Sequence, residues 1–291
     1  MADAWKVVDL INVTKAFFEK KGINDTARLD AELLLAEVLG CTRIELYVRF
    51  DQIVPEPQLG RFRELVRQRG NRKPVKQILG RCEFMSHEFE ITPDVLIPRP
   101  ETEAVVEQAL RALDDGQRAV ADIGTGSGNI AVSVALARPD VTVYATDRSE
   151  AALDVARRNV ERHGVADQVE LLGGDLFAAL ANRRLEGRLD CVVSNPPYVA
   201  ESELTGLMPE VAEYEPRDAL ISGQNGLEHT LRLLDGAPAF LRPGGSLVLE
   251  MGPYTSERTK AAAAAIDAYD QIRIAADLAK AERVLIALKR M

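Results

Sequence analysis

From residue 119 onward the chain alternates two hydrophobic periods, and this alternation limits its fold more than any other feature. Short apolar runs at 119–123, 142–146, 169–172, 189–194 and 246–250 are separated by segments of helical spacing at 129–137, 151–163, 176–181 and 227–241. Strands separated by helices pair in parallel through right-handed crossovers, which predicts an α/β, doubly wound sheet. A further helix is expected over 255–268. The two last runs, 272–276 and 283–288, are separated by a turn too short for a crossover helix. They are expected to pair antiparallel, so that the last of seven strands is the exception in a mostly parallel sheet.

The first 75 residues read differently. Val7, Leu10, Ile11, Phe17 and Phe18 recur at helical spacing, as do Leu29, Leu33, Leu34 and Val38. Asp25 or Thr26 can cap the second of these helices, which Gly40 ends, and Thr42 can cap a short third. Pro57 suits the first turn of a fourth helix carrying Leu59, Phe62, Leu65 and Val66. Residues 76–93 change period, and Cys82, Phe84, Phe89 and Ile91 fit two strands around Met85-Ser86-His87. The expected organisation is therefore a helical substrate- or partner-binding domain (1–75), a β-hairpin linker (76–93) and a sheet domain (94–291). A stiff loop, Pro98-Arg99-Pro100-Glu101-Thr102-Glu103, opens the last of these. Pro100 is placed for a first helical turn, and Arg99 reads either as a solvent-facing residue or as part of a cover over a ligand.

Composition excludes several classes. No apolar run reaches bilayer length and no secretory h-region opens the chain, so the expected location is the cytoplasm. Cys41, Cys82 and Cys191 are neither a disulfide framework nor a zinc spacing, and no metal is expected. The net charge of −9 is uneven: residues 1–80 net +3 and the remainder −12. Direct DNA binding is therefore not expected of the sheet domain. Seven basic residues lie between Arg61 and Lys76 with only Glu64 opposing them. They form either a solvated helix face or a partner-binding face.

Two motifs carry the chemistry. Asp122-Ile123-Gly124-Thr125-Gly126-Ser127-Gly128 follows the first strand and opens its helix. Glycines there let backbone approach a ligand, and the helix start offers free N–H groups. The second strand ends at Asp147, 21 residues after Gly126, where a carboxylate can accept from two ribose hydroxyls. An adenosine-bearing cofactor is expected. Gly126-x-Gly128-x-x-Ala131 would also satisfy the loose dinucleotide fingerprint, but Asn129 stands where the strict one starting at Gly124 needs a third glycine, which favours S-adenosyl-L-methionine over a nicotinamide. The second motif is Val192-Val193-Ser194-Asn195-Pro196-Pro197-Tyr198. Two prolines must stop the strand there, leaving a rigid corner. Asn195 Oδ1 and a main-chain carbonyl can accept both hydrogens of a planar NH2 group, and the Tyr198 ring can pack on its face. Open α/β sheets bind ligands at the C-terminal strand edge near the switch point, so both motifs are expected to share one crevice.

With these motifs the chain resembles the release-factor glutamine N5-methyltransferases (the HemK/PrmC family), within the class I S-adenosylmethionine-dependent methyltransferases. Pro98–Glu103, Gly124–Gly128, Asn195–Tyr198 and Glu215-Pro216-Arg217 carry the resemblance, which spans nearly the whole chain. It implies a Rossmann-like fold. It implies cofactor contacts from Gly124, Thr125, Gly126, Ser127, Gly128, Asp147, Asp175, Leu176 and Asn195. It implies substrate contacts from Asn195, Pro196, Pro197 and Tyr198, with Asn195, Pro196 and Tyr198 as the catalytic candidates. The residues alone leave Asp175 open between a ligand contact and a helix cap. The implied substrate is the Gln of the Gly-Gly-Gln motif in peptide-chain release factors, and the chain is expected to act as a monomer. The sequence departs from the family at Gln77, where an aromatic is usual, at Leu176, where a larger ring is found, and at Lys280, often a glycine. Adenine-N6 DNA methyltransferases share a similar corner, because adenine also presents a planar NH2. They also need a basic target-recognition region, and the sheet domain offers none.

Overall fold

The computed structural model describes residues 5–113, 119–277 and 279–291. It divides into two compact units: the described residues up to Gly80 together with Met208–Tyr214, and Arg81–Leu207 together with Glu215–Met291.

The first unit is helical, with α1 Val7–Lys20, α2 Ala27–Leu39, α3 Arg43–Val48, α4 Glu56–Gly70 and α5 Val75–Leu79. Leu10, Phe18, Leu34, Leu35, Leu46, Leu59 and Phe62 form its core. Thr42 caps α3 in a reciprocal capping box with Glu45. Thr26 occupies the N-cap of α2, but its hydroxyl donates to Asp30 Oδ2 instead of capping. Helix α5 takes residues 76–79, which the period change had placed in the hairpin linker, and Gly80 ends it in the left-handed region. The basic stretch is largely paired within the unit. Arg61 meets Glu37, Arg63 meets Glu56 and Arg67 meets Glu64. Arg69 is buried between Asp30 (2.7 Å) and Glu210 (2.9 Å), and Arg72 adds a second bond to Glu210. Gln77 donates to the Tyr214 carbonyl, a role in which its amide is used as an amide.

The second unit opens with a hairpin, β1 Arg81–Phe84 and β2 His87–Glu90. Its turn is Met85-Ser86, both at positive φ, and His87 belongs to the strand rather than the turn. Pro100–Thr102 form a single 3-10 turn, and α6 runs Glu103–Ala112. Then follow β3 Ala119–Ile123, α7 Asn129–Ala137, β4 Thr142–Asp147, α8 Glu150–Arg162, β5 Val169–Gly173 and β6 Leu189–Ser194. The short helix expected after β5 is a 3-10 turn, Leu176–Leu180. The chain continues through α9 Pro209–Ala212, within the segment of the first unit, to α10 Arg217–Leu220, α11 Glu228–Phe240, β7 Leu241–Glu250, α12 Ser256–Ala264, β8 Tyr269–Ala276 and β9 Glu282–Lys289. Pro243-Gly244-Gly245, which fall between the expected helix 227–241 and the expected strand 246–250, lie inside β7. The pairing steps from Leu189↔Leu241 to Cys191↔Ser246, so the irregularity absorbs these residues without ending the strand.

The seven strands lie in the order β5-β4-β3-β6-β7-β9-β8. β9 runs antiparallel to both neighbours, and the other pairs are parallel. Each face is covered, as a parallel sheet requires. Val120, Cys191, Val193 and Val248 pack with Val105, Val106, Ile130 and Val155 of α6, α7 and α8. Ala121, Val192, Leu247 and Leu249 pack with Leu233, Leu234 and Ala263 of α11 and α12. Alternation along β6 thus sends neighbouring valines to opposite cores, each burial stabilising by about 1.5–3 kcal/mol.

Arg69→Ala leaves Asp30 and Glu210 buried without their shared cation. It is expected to destabilise the first unit by about 3–5 kcal/mol. Arg63→Ala, which removes an exposed pair, should change stability by about 1 kcal/mol or less. Urea unfolding followed at Trp5, the single tryptophan and a residue of this unit, compares the two. Equal losses would contradict the burial argument.

Candidate functional site

The sheet reverses its winding between β3 and β6, and their C-terminal ends open into one cavity of about 730 Å³. Such a volume suits a small-molecule site. Its wall contains Gly124, Thr125, Gly126 and Ser127 after β3, Asp147 at the end of β4, Asp175 and Leu176 after β5, and Asn195, Pro196 and Pro197 after β6.

The glycine loop is held by its neighbours' acceptors. Gly124 and Thr125 both donate N–H to the Thr146 carbonyl at 2.8 Å. Gly126 N–H donates to Asp147 Oδ2 at 2.9 Å, and Ser149 N–H to Oδ1 at 2.9 Å. The Asp147 carboxylate is thereby fixed at the wall, with lone pairs left on both oxygens. Gly126 is at φ +55°, and a Cβ built on it meets nothing within 4 Å, so the space beyond its backbone is open to a ligand. Gly128, the N-cap of α7, is absent from the wall. A Cβ there would approach Ala156 Cβ at 3.3 Å, so this glycine serves helix packing.

Beneath the loop, Asp122 is fully buried. Its Oδ2 accepts from Thr125 Oγ1 (2.6 Å) and Ala131 N–H (3.1 Å), while Oδ1 has no hydrogen-bond partner among the described residues. Burial pushes this carboxyl up to about 7, against the pull of those two bonds.

Ser194 donates from Oγ to the Ile123 carbonyl at 2.6 Å and ties the two strand ends together. Asn195 donates from Nδ2 to Thr102 Oγ1 at 3.2 Å, and Thr102 in turn donates to Glu250 Oε2 at 2.6 Å. Tyr198 does not line the cavity. Its ring lies against Gly252, where an added Cβ would come within 3.1 Å, and burial raises its phenol pKa well above the usual value. Asp175 occupies the N-cap position of its turn but makes no cap bond. It pairs instead with Arg232 at 2.6 Å, and that partner holds its carboxyl below the usual range. Leu176 sits in the wall at φ +50°, a conformation uncommon for any residue other than glycine. Lys280 is also at positive φ, which explains why a glycine suits that position.

The sequence reading assigned no role to Thr102, Glu250 or Ser194. The one available signal was an acid, Glu250, closing the apolar run Leu247–Leu249. Arg99 is not a free loop residue. It pairs with buried Glu215, which also accepts from Ile97 N–H at 3.1 Å, so Glu215 anchors the Pro-Arg-Pro loop. Pro216, Arg217, Asp218 and Ala219 complete the wall on this side.

The strand order, the glycine loop and the acid at the end of β4 define a class I methyltransferase. Residues 103–212 match the methyltransferase small domain, and residues 9–80 match the PrmC N-terminal domain. The fold is shared with a solved methyltransferase from Pyrococcus furiosus (TM-score 0.51, 22% identity, 72% of this chain and 91% of that one). The release factor glutamine methyltransferase of Rhodopirellula baltica is 44% identical over 97% of this chain and 95% of its own length. That of Geobacter sulfurreducens is 42% identical over 86% and 85%. The chain belongs to the release factor glutamine methyltransferase family.

Asp122 provides a test of how the loop is held. Its pKa is raised above the ordinary 3.8. The stabilisation it gives is therefore full at acid pH and is lost as pH rises from about 4 through about 7. Asp122→Asn cannot ionise. Its Tm relative to wild type is expected to climb over that interval, and a difference independent of pH would refute the assignment.

Proposed function

We propose that the protein transfers a methyl group from S-adenosyl-L-methionine to the side-chain amide nitrogen (N5) of the glutamine in the Gly-Gly-Gln motif of peptide-chain release factors. The observation that carries this reading is the shared cavity: the glycine loop with Asp147 on one side, Asn195-Pro196-Pro197 on the other. A release-factor substrate makes the cytoplasm the site of the reaction.

The residues present fit the cofactor. The open backbone at Gly124–Gly126 admits close approach, and the pinned Asp147 carboxylate suits a ribose diol. Leu176, beside Asp175, gives an apolar surface for a base. When bound, S-adenosyl-L-methionine supplies an electrophilic methyl on a sulfonium. The chain's own part is to hold the nucleophile. A carboxamide nitrogen is poor in that role because its lone pair is delocalised. Asn195 Oδ1 accepts one of its hydrogens and the Pro196 carbonyl the other, turning the remaining face toward the methyl. Orientation is the main contribution, and the two carbonyl dipoles favour the positive charge that develops on nitrogen. Asn195, Pro196 and Pro197 carry no basic group, and the proton leaves to water after transfer. Tyr198, packed on Gly252 behind the corner, supports Asn195-Pro196-Pro197 instead of touching substrate.

The first unit is proposed to dock the release factor. The arginines of 61–76 are mostly engaged within the unit, but Ile44, Val48, Phe50 and Ile53 are each more than half exposed, a concentration of apolar surface suited to a protein partner.

Incubation of a recombinant release factor with enzyme and cofactor, followed by peptide mass spectrometry, should show one added methyl on the Gly-Gly-Gln glutamine. Asn195→Ala is expected to lower kcat by about a hundredfold with cofactor binding retained. Wild-type turnover in that variant would remove Asn195 from the mechanism.

A further inference from the structure

Two buried polar groups, Thr102 in the cavity wall and its hydrogen-bond partner Glu250, have no part in the mechanism above. Thr102 is 1% exposed and Glu250 fully buried, and they sit in a line with Asn195. Glu250 Oε1 has no hydrogen-bond partner among the described residues. An acid buried at the end of β7 with half its carboxylate unsatisfied is costly. A structural role for the Thr102 hydroxyl alone would not require it.

The hydrogen bonds have a direction. A hydroxyl has one hydrogen, and that of Thr102 goes to Glu250 Oε2 at 2.6 Å. Its oxygen can then only accept toward Asn195. Asn195 meets it with Nδ2 at 3.2 Å. Turned over, the amide would set Oδ1 against an oxygen with no hydrogen to give. The relay thus leaves Oδ1 on the side away from Thr102. We infer that Thr102, itself oriented by Glu250, is a positioning residue that fixes which end of the Asn195 amide meets the substrate. The inference rests on the proposed glutamine substrate, whose NH2 is a double donor. A reversed Asn195 amide would oppose donor to donor at that point.

The direction of the relay depends on Glu250 being an acceptor. Burial pushes its carboxyl up to about 7. Glu101 adds to this, while the Thr102 bond, Arg283 and Arg99 act the other way, and Tyr198 is the remaining titratable neighbour. A proton taken up by Glu250 finds Thr102 Oγ1 as its acceptor. The hydroxyl hydrogen then turns toward Asn195 and favours the reversed amide. Activity should therefore fall as pH drops through this range.

The test uses the full-length enzyme and a recombinant release factor. Thr102→Val keeps the shape and removes the hydroxyl. Its kcat is expected to fall about tenfold or more, with KM for the release factor and Kd for S-adenosyl-L-methionine within about twofold of wild type. Thr102→Ser restores the hydroxyl and should return kcat to within about threefold. Wild-type kcat in Thr102→Val, or Ser no better than Val, would overturn the inference. Glu250→Gln should flatten the acidic limb of the kcat–pH profile, and an unchanged limb overturns the part assigned to Glu250. If wild-type enzyme methylates no glutamine, the substrate reading fails and this inference with it. An active wild type with unaffected variants sinks this inference alone.

Discussion

The ladder between β3 and β6 runs Val120 to Cys191, Ala121 to Val192 and Asp122 to Val193, and the cavity exists because it stops there. Beyond Ile123 and Ser194 both chains leave the sheet, one through glycines and one through prolines. The two solutions are opposite in character. Glycines give a backbone that bends toward a ligand, whereas prolines give one that cannot follow its strand further. The Ser194 hydroxyl on the Ile123 carbonyl closes the gap between the diverging ends. Because the helices lie on both faces, neither strand can shift without opening two cores at once.

Around this junction the protein buries acids that it uses as fixed acceptors. Asp122 holds the glycine loop from below, Glu215 holds the Pro-Arg-Pro loop through Ile97 and Arg99, and Glu250 holds Thr102. Their environments differ. Glu215 has a guanidinium partner. Asp122 and Glu250 each keep one unpartnered oxygen, and burial raises the pKa of both. A chain selected only for stability gains little from such groups. What they supply is a set of hydrogen bonds with one allowed direction, in the places where backbone and amide orientation decide what the cavity can bind.

Much of this was legible in the sequence, and the limits have physical causes. The seven strands and their mostly parallel pairing followed from alternating periods, and the antiparallel last strand from a turn too short for a crossover; the order in which they lie did not. The glycine loop and the proline corner announced themselves because each distorts the backbone locally, and Asp147 by its spacing from the loop. Long-range partners leave no such mark. Nothing near Thr102 in sequence reveals Glu250, 148 residues away, and nothing near Asp175 reveals Arg232. The orientation of Tyr198 is hidden from the sequence for a related reason. Its neighbours fix the corner, but the side to which its ring turns is set by Gly252, on a segment brought there by β7. At Pro100, Leu176 and Pro243 the boundaries moved because 3-10 turns or a strand irregularity replaced a regular element, a choice made by tertiary packing and not by local propensity.

The segment after the corner shows how far the site's support extends. Leu207 and Glu215 belong to the sheet unit, yet the seven residues between them belong to the helical one. There Glu210 meets Arg69 and Arg72, Gln77 binds the Tyr214 carbonyl, and the Tyr214 hydroxyl donates to the Asn71 carbonyl. The chain that leaves Asn195-Pro196-Pro197-Tyr198 is thus fixed in the first unit before it returns as Glu215, the anchor of the Pro-Arg-Pro loop that ends in Thr102. A loop of this length, left free, would carry considerable conformational entropy into the wall of the cavity. The middle of the segment is part of the helical unit's own structure, and only its two ends belong to the sheet unit.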